Sequence, residues 1–468
     1  MKKAHVRPQL KKESLDNNEL KHYRPVSNIP FLSKIIEKVV TKRLNNHMSK
    51  NCLNEQFQSA YRANHGTETA LIKVHDDILR SLDNKCGVVL VMLDLSAAFD
   101  TIDHTILLDR INRMLGVEGA ALNWFRQYHV GREQVIIIGS SASSPITLGF
   151  GAPQGSVMGS EDYKIYTLPV GQITRKHGLS FHGYADDSNN YVSFSLSDAE
   201  SYKVALSKIE RSTTDIKSWM CHNMLKLNDT KTEVLVIVPP KHKDSFGQEA
   251  VRIADAIIQP SECAKGLGVW FDRHLSLDIE LQHRCEVMLF HLRNIRTIRP
   301  YITQSACEKL IHALVSSRLD YSNALLAGLP KKKLCLLQRI QNMAARVVTN
   351  SRRSDHITPI LRSLHWLPVK ARVDFNIIIL TFKILHGSAP DYLCSLIKRQ
   401  VNSRCLRSSS KVRLTVPKVR TKQYGERAFS VVAPKLWNSL PISLQTETNF
   451  IKFKKKVKTH LFRIEYES

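Results

Sequence analysis

The chain has 468 residues, 43% hydrophobic and 24% charged, a composition that excludes a disordered protein and, at this length, a single ordinary core. Lysine and arginine number 68 against 42 aspartates and glutamates, a formal net charge of +26. A polyanion is therefore the first partner to consider, with nucleic acid set against an anionic membrane surface or a merely basic exterior.

The N-terminal stretch MKKAHVRPQLKKESLDNNELKHYRP is basic but no apolar core follows it, which reads against a signal peptide. No apolar run approaches the ~20 residues that span a bilayer. Nine scattered cysteines without a C-x-x-C pair read as reduced thiols and against a zinc module. An intracellular chain, cytoplasmic or nuclear, without a membrane partner is the expectation.

TETALIKVHDDILRSLDN predicts a helix with Thr67 as N-cap and Leu71, Val74, Ile78 and Leu82 on one face. CGVVLVMLDLS follows, and its run Val88 to Leu93 fits a strand buried on both faces, with Asp94 at or just past its end. HTILLDRINRMLG predicts a helix stopped at Gly116, and EQVIIIGSSASSPITLGF a hairpin. LSFHGYADDSNNYVSFS alternates apolar and polar residues on both sides of Asp186 and Asp187, which predicts two antiparallel strands with the acidic pair near the turn. Beyond about residue 270 the pattern is helical, including a mostly buried helix in VDFNIIILTFKILHG. The tail NFIKFKKKVKTHLF places Phe450, Phe453, Val457 and Leu461 together and five lysines elsewhere, a packed helix with either a solvated or a phosphate-tracking face.

If the strand ending at Asp94 lies beside the hairpin, three carboxylates converge. In a low-dielectric cleft they repel one another by several kcal/mol unless cations neutralise them. Mg²⁺ is the natural neutraliser, because it takes one or two carboxylates and completes its octahedron with water and phosphate oxygens. Two such ions ~3.5–4 Å apart suit in-line phosphoryl displacement.

In that order, MLDLSAAFDTIDH, GAPQGSVMG, YADDS and LKLNDTKTEVLV resemble the reverse transcriptase domain of non-LTR (LINE-type, Jockey/chicken-repeat-like) retrotransposons. HYRPVSNIPFLSKIIEKVV and EQFQSAYRANHGTETAL resemble the blocks preceding it in that family, and GLGVWFDRHLS the block after it. The resemblance continues through RLDYSNALLAGLP, RIQNMAARVVTN and APKLWNSLP, so it covers nearly the whole chain.

The resemblance implies an α+β right-hand polymerase: fingers and palm over 1–272, a helical thumb over 273–345 and a basic helical C-terminal domain over 346–468. It implies an RNA-directed DNA polymerase using an RNA template, a DNA primer and deoxynucleoside triphosphates, with two Mg²⁺ ions or Mn²⁺ in their place. Asp94 and Asp186 match the metal-binding aspartates, Asp187 their adjacent acidic partner, and Leu95 a position whose main-chain carbonyl faces the second metal. Phe99 matches the aromatic that excludes a ribose 2′-hydroxyl, or is core. Gln154 and Gly155 match the block at the template and incoming nucleotide, Arg24 and Arg62 fingers positions, Arg62 being the better triphosphate grip, and Lys231 the lysine near the leaving pyrophosphate. Trp270 belongs to a primer grip or to packing.

Relatives often continue Pro-Leu-Leu after the glutamine-glycine block. Here SEDYKIYTLPVG follows Gly159, and Glu161 and Asp162 are expected to add negative charge near the nucleotide. The chain also looks like a copy lacking the N-terminal endonuclease. The alternative reading is a catalytically inactive, element-derived protein that binds RNA or an RNA–DNA hybrid.

Overall fold

The computed structural model describes residues 2–96, 99–400 and 413–467. At its centre lies an antiparallel sheet of β1 (Cys86–Leu93), β2 (Ser180–Tyr184), β3 (Asp187–Ser195) and β4 (Glu233–Ile237), in spatial order β4-β1-β3-β2. Successive side chains of a strand alternate between faces, and β1 serves two cores in that way. Val88 and Leu90 join one and Val89, Val91 and Leu93 the other, none more than 2% exposed. The uninterrupted apolar run of β1 thus reflects burial on both sides.

Preceding the sheet in the chain are α1 (Phe31–Lys50) and α2 (Thr67–Asp83). Leu71, Val74, Ile78 and Leu82 of α2 are buried in the core that holds Val88 and Leu90. Its N-cap is Gly66 rather than the expected Thr67: the Thr69 hydroxyl accepts from the Gly66 amide at 3.0 Å and donates to the Gly66 carbonyl at 2.9 Å. The other face of the sheet is covered by α3 (Met158–Tyr166) and α4 (Ala199–His222), through Tyr163, Ile209, Ile216 and Met220. A second sheet joins Lys3–Leu10, Tyr23–Asn28 and Arg132–Ile138, the last folding back onto Ile146–Leu148 as the expected hairpin. The whole is mixed α and β.

The C-terminal half is helical, with α5 (Asp278–Ile298), α6 (Lys331–Thr349), α7 (Val369–Leu385), α8 (Phe429–Ser439) and α9 (Phe450–Tyr466) as its main elements. Their apolar residues, among them Met288, Leu337, Ile377, Trp437 and Phe453, share one continuous core with α2 and one face of the sheet. The boundary expected between 345 and 346 falls inside α6. A helix amphipathic over its whole length runs across it, because Ala344, Ala345 and Val348 are all buried against that common core. The 272/273 boundary does coincide with a turn, where Asp272 accepts from the amides of His274, Ser276 and Leu277 at 2.7–3.0 Å.

Polar contacts bind the C-terminal helices back to α2. Buried Asp83 accepts from the Arg420 and Thr421 amides and the Thr421 hydroxyl, and Asp76 accepts from the Ser430 amide at 2.8 Å. Burial pushes the Asp76 carboxyl up to about 6, against the opposing pull of Ser430. The folded chain therefore binds a proton more tightly there than the unfolded one, and stability falls as pH rises from about 4 to about 6. Asp76→Asn keeps an acceptor oxygen and removes the charge. It is expected to be the more stable chain at pH 7, by about 2–3 kcal/mol, and nearly equal at about pH 3.5, as read by urea unfolding at the two pH values.

Among the described residues no helix is long and apolar enough to cross a membrane. The eight cysteines among them are free, and Cys405 lies outside them.

Candidate active site

Strand pairing places the acidic residues. β1 runs antiparallel to β3 with Leu93 opposite Ser188, so Asp94, one step past β1, lies at the level of Asp187, the first residue of β3. The β2–β3 turn is closed by Ala185 and Asp186, with Tyr184 paired to Asp187. Such a two-residue hairpin needs left-handed backbone, and Ala185 supplies it at φ 55°.

Gln58 holds that strained tip. Its amide oxygen accepts from the Ala185 amide at 3.1 Å, while the main chain of 57–59 bonds Gly183 on both sides, Gly183 to the Phe57 carbonyl at 2.8 Å and Ser59 to the Gly183 carbonyl at 2.9 Å. The 55–58 turn is braced in its own right. Arg62 Nη1 donates to the carbonyls of Glu55 (2.8 Å) and Gln58 (3.1 Å), and Arg175 makes a two-pronged ion pair with Glu55 at 2.6 and 2.9 Å. Gln58→Ala should loosen the hairpin without touching a substrate contact. Kinetics on the variant should show kcat down about 10- to 100-fold and KM nearly unchanged, the size seen when partners behind a metal ligand are lost.

Burial, then repulsion from Asp94, raises the Asp186 carboxyl above the usual range, and Lys231 and Arg24 partly offset it. Asp187, whose outer edge is open to solvent, is pushed up to about 6 by burial, Asp186 and Asp94 in that order. Asp94 is held by its neighbours: Lys231 Nζ lies 3.0 Å and Asn228 Nδ2 3.2 Å from its Oδ2, and the Asn228 amide donates to its carbonyl at 3.0 Å. Beneath the carboxylates Tyr163 is buried with its ring stacked on Phe99, centroids 4.9 Å apart. Burial and the charge of Asp186 push its phenol well up, so it stays neutral.

The other expected residues are placed as follows. Phe99 is half-buried at the edge of this cluster. The main chain of Leu95 lies in a short strand opposite Leu227. Gln154 donates to both oxygens of Asp100 at 3.0 and 3.1 Å. Gly155, at φ 117°, permits a close approach of protein main chain, since a Cβ there would stand 2.7 Å from the Ser27 carbonyl. Arg24 is exposed on the strand Tyr23–Asn28, and one nitrogen of Arg62 is committed to main-chain carbonyls. Trp270 lies in a hairpin of Cys263–Gly266 and Val269–Asp272, where its amide donates to Glu280 at the start of α5.

Glu161 and Asp162 do not add charge to the cluster. Glu161 is buried and accepts from Asn45 at 2.9 Å beside Lys164 at 2.5 Å, and Asp162 is buried 3.6 Å from His129. On α3 these residues turn toward α1 and His129 while Tyr163 turns toward the aspartates, as helix geometry demands of neighbours 100° apart. Three further residues contribute that the motifs do not mark: Asn228, three residues before Lys231, Tyr163, and Gln58. Only Asn228 carried a signal, its place in the same NDTK stretch.

The donor set consists of hard carboxylate oxygens, which suit a divalent cation that takes one or two carboxylates. Among the described residues no cluster of three or more His, Cys, Asp or Glu side chains forms a ready-made cage. Ligands from water and phosphate would complete the shell, and the residues present fit such an ion.

The family profile described as reverse transcriptase (RNA-dependent DNA polymerase) matches residues 10–271. The chain belongs to that family and carries its polymerase fold. It is 25% identical over 339 residues to the probable RNA-directed DNA polymerase from transposon BS of Drosophila melanogaster, covering 70% of this chain and 36% of that one. Identity to the corresponding protein from transposon X-element of the same species is 24% over 335 residues, 70% of this chain and 35% of that one. Identity to the RNA-directed DNA polymerase from mobile element jockey of Drosophila funebris is 29% over 170 residues, 35% and 18% of the two chains. The chain thus spans about a third of the first two relatives' length. Among solved structures, apo telomerase from Candida tropicalis aligns with a TM-score of 0.42 at 10% identity, over 75% of this chain and 58% of that one.

Proposed function

We propose that this chain is the RNA-directed DNA polymerase of a non-LTR retrotransposon, adding deoxynucleotides to a primer 3′-hydroxyl on an RNA template. The observation that carries this is the β1–β3 register, which sets Asp94 beside Asp186 and Asp187 with Lys231 3.0 Å from Asp94. In this reading the sheet is the palm, the N-terminal elements are the fingers, and α5 with the helices after it begins a thumb.

Asp94 and Asp186 would hold two Mg²⁺ ions, with Asp187 and the Leu95 carbonyl as lesser donors; when bound, the ions stabilise the attacking and leaving oxygens. Asn228 fixes the Asp94 carboxylate by side chain and main chain together. Lys231, 3.0 Å from Asp94, would offset charge on the leaving pyrophosphate. Arg24, whose charge reaches Asp186, would attract the triphosphate toward it. The free edge of the Arg62 guanidinium is available for the same task. Phe99, backed by Tyr163, offers a ring where a deoxyribose would rest and a 2′-hydroxyl would clash. Gln154 and Gly155 bring the main chain of 154–155 against Ser27, joining the template block to the fingers.

Glu161 and Asp162 are buried against Asn45 and His129, which favours the polymerase reading over the inactive alternative. A poly(rA)/oligo(dT) template-primer with dTTP and Mg²⁺ tests the reading. Incorporation by the chain and none by Asp186→Asn supports it, whereas hybrid binding without incorporation by either would leave only the nucleic-acid-binding alternative.

A further inference from the structure

We propose that a groove between α7 and α9, far along the chain from the carboxylates, is a binding site for a single strand of nucleic acid. It rests on the reading above only in taking nucleic acid as the ligand. The groove offers about 900 Å³, at the upper end of the ~300–1,000 Å³ of a ligand cleft.

Its walls differ in charge state. On α9, Phe453 and Val457 are buried, which leaves Ile451, Lys454, Lys455 and Lys458 exposed along one face at helical spacing. None of the three lysines has an ion-pair partner among the described residues. The carboxylates on the opposite wall are already engaged. Asp320 is bound by Arg372 through two nitrogens, and Glu68, raised by burial, accepts from Asn376 at 2.7 Å. Glu308 also lines the groove, so Lys454, Lys455, Lys458 and Arg372 face Asp320, Glu68 and Glu308, and the balance is positive.

Aromatic surfaces lie along the same space. Phe450, 38% exposed, is flanked on its ring by Lys383 at 5.5 Å, and Phe375 also lines the groove. At the far end Trp366 packs against His312, centroids 5.4 Å apart, with a buried indole N–H that has no acceptor. Lysines that track phosphates beside rings on which bases stack are the means by which proteins hold single strands without reading sequence. A duplex keeps its bases stacked and would leave the rings unused. An acidic peptide would use the lysines alone.

The test uses the full chain with a 20-nucleotide oligonucleotide carrying 5-iodouridine, in RNA and DNA versions, and a variant with Lys454→Gln, Lys455→Gln and Lys458→Gln. These side chains are exposed, and an unchanged unfolding temperature shows that the variant keeps its fold. Crosslinks at Phe450 or Phe375 are expected, and in the variant the slope of log affinity against log salt should be shallower by about 2, the loss of three phosphate contacts on a single strand. Preferential retention of RNA or of DNA assigns the strand. Crosslinks confined to residues 1–272 with an unchanged slope overturn the proposal, as does competition by polyglutamate equal to that by the oligonucleotide. Failure of the polymerase reading is distinguishable: primer extension would be absent while the groove crosslinks persist.

Discussion

Asp94→Asn and Asp186→Asn are each expected to lower nucleotide incorporation at least ~10³-fold, about 4 kcal/mol of transition-state stabilisation, whereas Asp187→Asn should cost less than ~10²-fold. Asparagine preserves the shape and acceptor oxygen of each aspartate, so the effect isolates charge. Asp94 is clasped by Asn228 and Lys231 in one orientation, and Asp186 sits in the hairpin turn that Gln58 steadies. Asp187 leads the return strand with its outer edge in solvent, where water replaces part of what it would give a cation. The measurement is single-turnover incorporation at saturating Mg²⁺, with hybrid binding measured alongside to show that each variant is folded. Equal damage from all three substitutions would contradict the division of the acidic pair.

The second large effect concerns stability. Trp437→Ala removes a side chain only 1% exposed that packs near Phe453 in the core common to the sheet, α2 and the C-terminal helices. Truncations of this kind cost about 3–5 kcal/mol, a large share of the 5–15 kcal/mol that holds a typical fold. Because the core is continuous, the variant is expected to unfold in a single transition, and incorporation should be lost at the same temperature as helicity. Two separate transitions, with polymerase activity surviving melting of the C-terminal helices, would show that the 346–468 region stands apart.

The parts of this structure legible in the sequence are those set by short-range periodicity. The run Val88–Leu93 marked a strand buried on both faces and so located Asp94, and the alternation around YADDS marked the hairpin. Phe453 and Val457 likewise followed from helical spacing. The rest depends on which surfaces meet. Nothing local says that Gln58 reaches Ala185, 127 residues away, or that Asp76 and Asp83 would receive amides from beyond residue 419. The charges of Glu161 and Asp162 were visible, but their direction was not, because it depends on the rotation of α3 against Asn45 and His129. Periodicity likewise reports that α6 has an apolar face without naming its partner.

The most direct measurement is extension of a DNA primer annealed to an RNA template of defined, mixed sequence, with all four deoxynucleotides and Mg²⁺ and with the product sequenced. The expected product is DNA complementary to the template beyond the primer, made by the chain and absent with Asp186→Asn. A folded chain that binds the hybrid yet leaves the primer unextended would contradict the assignment of Asp94 and Asp186 as the centre of a polymerase.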